Sequence, residues 1–305
     1  MDRFEEMKTF IRVVEVGSIT RAADQLGLAK SAISRRLSDL EGRLGAELLK
    51  RTTRSLKLTE TGRAYYDQSQ RILNDLAEME AATSDTHHEL SGRLRIAVPL
   101  SFGLMHFTDA MNAFLAEHPK LSMDVDLSDR HINLTEENID VAIRLGRLED
   151  SQLIARHLFP VKTIACASPE YLEKYGVPET PEDLSNHYIL KYSLGTQRGW
   201  TAKNADGKEV SISPTIRHEA NNGDYLRQLG IAGQGFLITP LFIVGHSVMS
   251  GQLVPFLEDY SWDEINAYAV YPSTRHLSSR VRTLIDFMTK YYAHQRPWED
   301  CVNRT

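Results

Sequence analysis

The stretch Ser18–Gly62, SITRAADQLGLAKSAISRRLSDLEGRLGAELLKRTTRSLKLTETG, sets two short helices and a basic hairpin in succession. The first helix is expected from about Ser18, a hydroxyl N-cap, to Leu26, with Ala22 and Ala23 small enough for a second helix to cross closely. Gly27 ends it. The second helix, about Lys30 to Arg43, turns Ile33, Leu37, Leu40 and Leu44 inward at helical spacing and leaves Lys30, Ser31, Ser34 and Arg35 on the opposite face. That polar face suits a major groove: a guanidinium pairs bidentately with guanine, hydroxyls serve bases or phosphates, and a helix N-terminus attracts phosphate.

Beyond Gly45, the alternation of Leu56 and Leu58 predicts a two-stranded wing within Leu49–Leu58, carrying Lys50, Arg51, Arg54 and Lys57. Charge of this kind contacts backbone phosphate. The expected DNA-binding set is Arg21, Lys30, Ser31, Ser34, Arg35 and Arg36 with Arg51, Arg54 and Lys57 of the wing. Alone, a basic amphipathic helix reads more often as a solvated surface helix than as a DNA reader. Its neighbours decide here.

The segment resembles the winged helix-turn-helix of the LysR-type transcriptional regulators. The match comprises Ala22-Ala23, Ser34-Arg35-Arg36-Leu37, Leu40-Glu41, Leu44-Gly45, Leu48, Arg51 and Leu58-Thr59-Glu60-Thr61-Gly62 in that family's order and spacing. Three positions depart from it. Ala29 stands where a capping Ser is common, Ser31 where Pro is common, and Leu49 where Phe is usual. The first of these weakens the helix cap and leaves the recognition face intact.

The whole chain has 305 residues, 42% hydrophobic and 25% charged, which describes two to three globular domains. Its net charge of −6 excludes a general nucleic-acid coat, so DNA affinity must be local. Up to Gly62, twelve Lys and Arg face nine Asp and Glu, and the remainder is acidic. Cys166 and Cys301 are far apart and lack metal or redox spacing, which suggests a reducing cytoplasm without a disulfide framework or a zinc site. The opening MDRFEEMKTF is too charged for a signal peptide, and no apolar run approaches the ~20 residues that span a bilayer. No membrane association is expected.

Between Gly62 and Gly92 there is neither Gly nor Pro, and Tyr65, Ile72, Leu76, Met79 and Thr83 recur at helical steps. One long linker helix is predicted, with a narrow apolar seam (Tyr65, Ile72, Leu76, Met79) flanked by Arg71, Asp75, Glu78 and Glu80. Such a seam fits pairing with an identical helix, or packing on the next domain. The resemblance implies the former, a homodimer that commonly assembles further to a tetramer. The polar run Thr86–Gly92 reads as the hinge. The expected boundaries are 1–62 for the DNA-binding domain, 63–91 for linker helix and hinge, and 92–305 for a C-terminal domain.

That last domain alternates strands and helices: strand Arg93–Pro99, helix Leu104–Glu117, strand Leu121–Leu127, helix Leu134–Asn138 and strand Asp140–Leu145, a βαβαβ half. A smaller second half follows, with strands near Ile154–Leu158, Val161–Ala167 and Gly235–Thr239 and helices near Glu170–Tyr175 and Gly223–Ile231. The strand Asn266–Val270 and a helix from about Ser279 to Ala293 return to the first half, so two links cross. The lobes would be 92–163 with 268–295, and 164–267. This resembles the two-lobed, periplasmic-binding-protein-like effector domain of the same family, matched at Asp140–Gly146, at Gly233-Gln234-Gly235 with Pro240, and at Gly251–Val254. The expected fold is thus α/β with an all-α winged helix-turn-helix ahead of it.

Ligands of open α/β sheets sit at the carboxyl ends of strands beside helix starts. Ser101 and Phe102 after the first strand, Arg144 closing the third, Arg198 and Trp200, and Asn222 before a helix are the candidate effector residues. Arg144 can clamp a carboxylate bidentately, or form a structural ion pair with Asp140 or Asp150. Phe102 and Trp200 can stack on a ligand or fill core. A small carboxylate with an apolar or aromatic body is the expected effector.

No GxSxG elbow, paired catalytic carboxylates or HExxH-like histidine spacing occurs, so neither an enzyme nor a metal site nor a cofactor is expected. An exported solute receptor would lack the basic first sixty residues. The partners implied are double-stranded DNA bearing an imperfect inverted repeat, a small effector, a second copy of the chain, and RNA polymerase as a further candidate.

Overall fold

In the computed structural model of the protein, the described residues are 2–51, 56–82, 90–130, 132–146, 153–194, 199–262, 265–273 and 277–299. Arg54, Arg198 and residues 83–89 of the predicted seam and hinge lie outside them, as do the side chains of Arg51 and Met79. The chain divides into two compact units, Met1–His88 and Glu89–Thr305. No helix among the described residues is long and apolar enough to cross a membrane.

The first unit opens with a helix absent from the expectations, α1 (Arg3–Val16), which starts where the Asp2 carboxylate accepts the Phe4 N–H at 2.9 Å and ends at Gly17. Phe10 and Val13 of α1 are fully buried against Ile33, Leu37 and Leu40. The next helix, α2 (Ile19–Leu26), is capped by Ser18 and stopped by left-handed Gly27; its Ala22 and Ala23 are buried. The third, α3 (Lys30–Leu44), has no side-chain cap, because Ala29 precedes it. Leu44 corrects the expected inward set: at the last turn it is 38% exposed.

The wing is β1 (Leu49–Arg51) antiparallel to β2 (Leu56–Leu58), with Leu49 opposite Leu58. Glu41 Oε1 anchors its entry by accepting the Leu48 and Leu49 N–H groups at 2.8 and 3.1 Å. Thr59 anchors its exit: its hydroxyl donates to the Glu47 carbonyl at 2.7 Å and accepts the Gly62 N–H at 2.8 Å. The long helix α4 (Glu60–Ala82) starts here and packs Tyr65 edge-on to Phe10, ring centroids 5.4 Å apart.

The second unit begins with β3 (Gly92–Val98) and a continuous helix α5, formed by Leu100–Phe102, a wide π turn Gly103–Phe107 and Thr108–Glu117. Next come β4 (Leu121–Leu127), β5 (Val141–Gly146) and β6 (Leu153–Val161). The segment Leu134–Asn138, expected as a helix, is a run of turns with Asn138 at φ 62°. Too short to propagate hydrogen bonds, it buries Leu134 from a turn instead.

The chain then crosses to a second lobe: β7 (Thr163–Ala167), α6 (Pro169–Tyr175), β8 (Tyr188–Tyr192), β9 (Trp200–Lys203), β10 (Glu209–Ile212), β11 (Thr215–Ala220), α7 (Gly223–Ile231), β12 (Leu237–Pro240), α8 (Leu241–Met249), β13 (Val254–Phe256) and β14 (Ser261–Trp262). It returns through β15 (Ile265–Pro272) and α9 (Ser279–His294). The first lobe's five-stranded sheet has the order β4-β3-β5-β15-β6, with β3 parallel to β4 and β5 and β15 antiparallel to its neighbours. The second lobe holds three small sheets and more strands than the first, against the smaller half expected. Its glycine turn has a steric reason: a Cβ on Gly235 would lie 2.6 Å from the Tyr188 carbonyl oxygen.

Candidate functional site

The amino-terminal unit exposes polar and basic side chains on α3 and in the wing. Lys30 and Ser31 at the start of α3 are exposed, Ser34 is half-buried, and the Arg35 side chain is 83% exposed with a 3.9 Å contact to Asp39. A pair that open to water contributes little, so Arg35 is available to a ligand. In the wing, Lys50 and Lys57 are direct cross-strand partners, both exposed. Like charges placed opposite each other repel, and a phosphate between them relieves that cost.

Two arginines of the expected set are engaged within the fold. Arg36 Nη1 donates to Thr9 Oγ1 at 3.1 Å and lies 3.6 Å from Glu5, which turns it onto α1. Arg21 stays exposed, yet its Nη2 donates to the Val16 carbonyl at 2.6 Å and closes the end of α1. Behind the face, Arg43 meets the buried Glu6 at 2.6 Å, and this bond raises the guanidinium pKa above its ordinary value. The pair pins α3 to α1. Along α4, Ile72 is 37% exposed and Leu76 half-buried, whereas Tyr65 belongs to the core around Phe10.

In the second unit the carboxyl ends of three parallel strands converge. Leu100 follows β3, Asp129 and Arg130 follow β4, and Arg144 lies near the end of β5. The Leu100 N–H donates to Asp129 Oδ1 at 3.0 Å. The Asn222 side-chain amide donates to Asp129 Oδ2 at 3.3 Å while its oxygen caps α7 by accepting the Tyr225 N–H at 3.0 Å. Arg144 Nη1 donates to the Arg130 carbonyl at 3.3 Å. Ser101, 5% exposed, has a buried hydroxyl without a hydrogen-bond partner among the described residues. An orphan of that kind costs stability until something bonds to it.

Arg144 is half-buried, and burial alone lowers its pKa from the ordinary value. Among the described residues it has no carboxylate partner; Asp140 accepts the Arg95 N–H at 2.9 Å instead. Asp150 lies outside the described residues. Nearby, the Tyr192 hydroxyl is pushed up to about 12 by burial, with the Asp129 carboxylate adding to the shift.

Two aromatic candidates are corrected. Phe102 is fully buried, 5.6 Å in centroid distance from both Phe242 and Tyr292, in a cluster that joins α5 to α8 and α9. Trp200 packs against the second lobe's own core. Large apolar rings gain more from such burial than from a partly wet cleft. A concavity lined by Met105, His106, Asp109 and Tyr291–Glu299 shares no residue with the strand-end set.

No motif in the sequence singles out Asp129 or Tyr192. The available signal for Asp129 was its place just after a parallel strand, where a cleft residue belongs.

Residues 4–63 match the family described as bacterial regulatory helix-turn-helix protein, lysR family, and residues 87–293 match the LysR substrate binding domain. The chain belongs to the LysR family of bacterial transcriptional regulators. The HTH-type transcriptional regulator CrgA of Neisseria meningitidis serogroup C is 37% identical over 288 residues, covering 94% of this chain and 96% of that protein. The solved structure of CrgA from Neisseria meningitidis, at 36% identity, covers 95% of this chain and 99% of its own with a TM-score of 0.58. The full-length virulence activator AphB of Vibrio cholerae, described as a member of the same family, matches at 31% identity and a TM-score of 0.58 over 95% of this chain and 99% of that one. This LysR-type regulator therefore combines a helix-turn-helix DNA-binding domain with a two-lobed, mixed α/β effector-binding domain.

Proposed function

We propose that this regulator reads an imperfect inverted-repeat operator with the face Lys30, Ser31, Ser34 and Arg35 of α3, while Lys57 and its wing neighbours Arg51 and Arg54 grip phosphate. A two-fold operator requires a two-fold protein, supplied by pairing of α4 along Ile72, Leu76 and Met79, with higher assembly to a tetramer. It acts in the cytoplasm as a regulator without catalytic chemistry, and RNA polymerase is the partner through which operator binding is felt.

The effector sits at the strand ends around Ser101, Arg144 and Asn222 of the second unit and carries a carboxylate. The observation that supports this is Arg144, half-buried with one carbonyl acceptor and no carboxylate partner among the described residues, a planar donor fork suited to an anion. The aromatic body of the expected ligand has lost its support, since Phe102 and Trp200 are spent on packing. Binding there favours one arrangement of the two lobes, and the free energy difference is what DNA binding responds to.

The test uses a reporter driven by a promoter that the protein binds. Arg144→Ala should bind the operator without effector as the wild type does and should lose the effector response. An undiminished response would place the pocket elsewhere.

A further inference from the structure

Two helices of the effector-binding unit begin at one carboxylate. The first N–H of α5, at Leu100, donates to one oxygen of Asp129, and Asn222, the N-cap of α7, donates to the other, at 3.0 and 3.3 Å. The helix α5 belongs to the first lobe and α7 to the second, so both oxygens of a single half-buried side chain are spent on opposite lobes. Helix starts carry free N–H groups and partial positive charge, and they attract anions. Next to Leu100 stands the unpartnered, 5% exposed Ser101 hydroxyl.

We propose that Asp129 is an internal ligand of the cleft, whose carboxylate fills the anion seat between Leu100 and Asn222 and clasps the two lobes when no effector is bound. The inference rests on the reading of this cleft as the effector site. Two carboxylates in one seat repel, so an effector carboxylate that uses these donors evicts Asp129 and opens the clasp. The same event moves the segment that Arg144 holds, because its guanidinium donates to the carbonyl of the following residue, Arg130. Clasp and effector are then mutually exclusive occupants, and the exchange itself resets the lobes.

Acetate is the probe, titrated against the full-length protein at constant ionic strength. Asp129→Ala should melt at a lower temperature than the wild type and should gain a saturable, acetate-dependent rise in melting temperature. Its apparent acetate affinity should exceed that of the wild type about tenfold or more, the scale of hydrogen bonds to a charged acceptor. Equal acetate response in both proteins, or none in either, would overturn the proposal. Should the Ala variant fail to fold, Asp129→Asn and Asn222→Ala provide the second test. Their effects on melting should be less than additive, and additive effects would overturn the clasp. Failure on either count with effector response still lost in Arg144→Ala removes the clasp and leaves the effector site standing.

Discussion

A methyl group on Gly62 would overlap the carbonyl oxygen of Leu48. The first turn of α4 thus lies directly on the segment entering the wing, and the Thr59 hydroxyl stitches the two together by accepting the Gly62 N–H at 2.8 Å and donating to the Glu47 carbonyl at 2.7 Å. Gly62→Ala should force the wing away from α4 and destabilise the amino-terminal unit by about 1–3 kcal/mol, the usual cost of overpacking. Thermal unfolding checks it. A variant that melts with the wild type would contradict this reading of the glycine.

Lys57 is exposed in the wing and faces Lys50 across the hairpin. Lys57→Ala should weaken binding to operator and to random duplex by the same factor and reduce the slope of log affinity against log salt by about one. Titrations at a series of salt concentrations measure both. A loss confined to the operator would mean that Lys57 reads a base.

Much of this layout is legible in the chain. The spacing of Ile33, Leu37 and Leu40 predicts the buried seam of α3, and Ser18 and Gly27 bracket α2. The segments Leu121–Leu127 and Gly223–Ile231 coincide with their expected bounds, because strong turn and cap residues flank them. What is illegible depends on partners distant in sequence. Arg36 looks like a recognition residue until Thr9, on an unpredicted helix, takes its guanidinium. Asp129 finds its second partner 93 residues on, at Asn222. Tyr65 fits a dimer seam by spacing alone, while Phe10 in the same unit claims it.

His106 ties α5 to α8, with Nε2 2.9 Å from the Phe242 carbonyl oxygen and its ring 4.4 Å from that of Trp298. Burial lowers its pKa below the ordinary 6.5, and the bond to Phe242 opposes that shift only in part. The folded state therefore prefers the neutral ring. This contribution to stability is full above about pH 6.5 and is lost as the pH falls, since the unfolded chain takes up the proton first. Melting temperature should fall between about pH 7 and pH 5, and His106→Gln should flatten part of that fall. The buried His187, also shifted downward by burial, should retain the rest. An unchanged slope in His106→Gln would contradict the assignment.

Leu76 is half-buried on α4 one turn beyond the 37% exposed Ile72. Leu76→Asp should give monomers by placing an unpaired carboxylate in a dry helix pair. Sedimentation velocity decides this. A variant that sediments like the wild type would remove α4 from the assembly.

The central claim is that the α3 face reads sequence, and selection from a random duplex library by the purified full-length protein tests it most directly. The wild type should enrich an imperfect inverted repeat. Arg35→Ala should lose preference at one base position of each half-site, by about 1–3 kcal/mol. Enrichment of no sequence by the wild type, or an unchanged motif with Arg35→Ala, would contradict it.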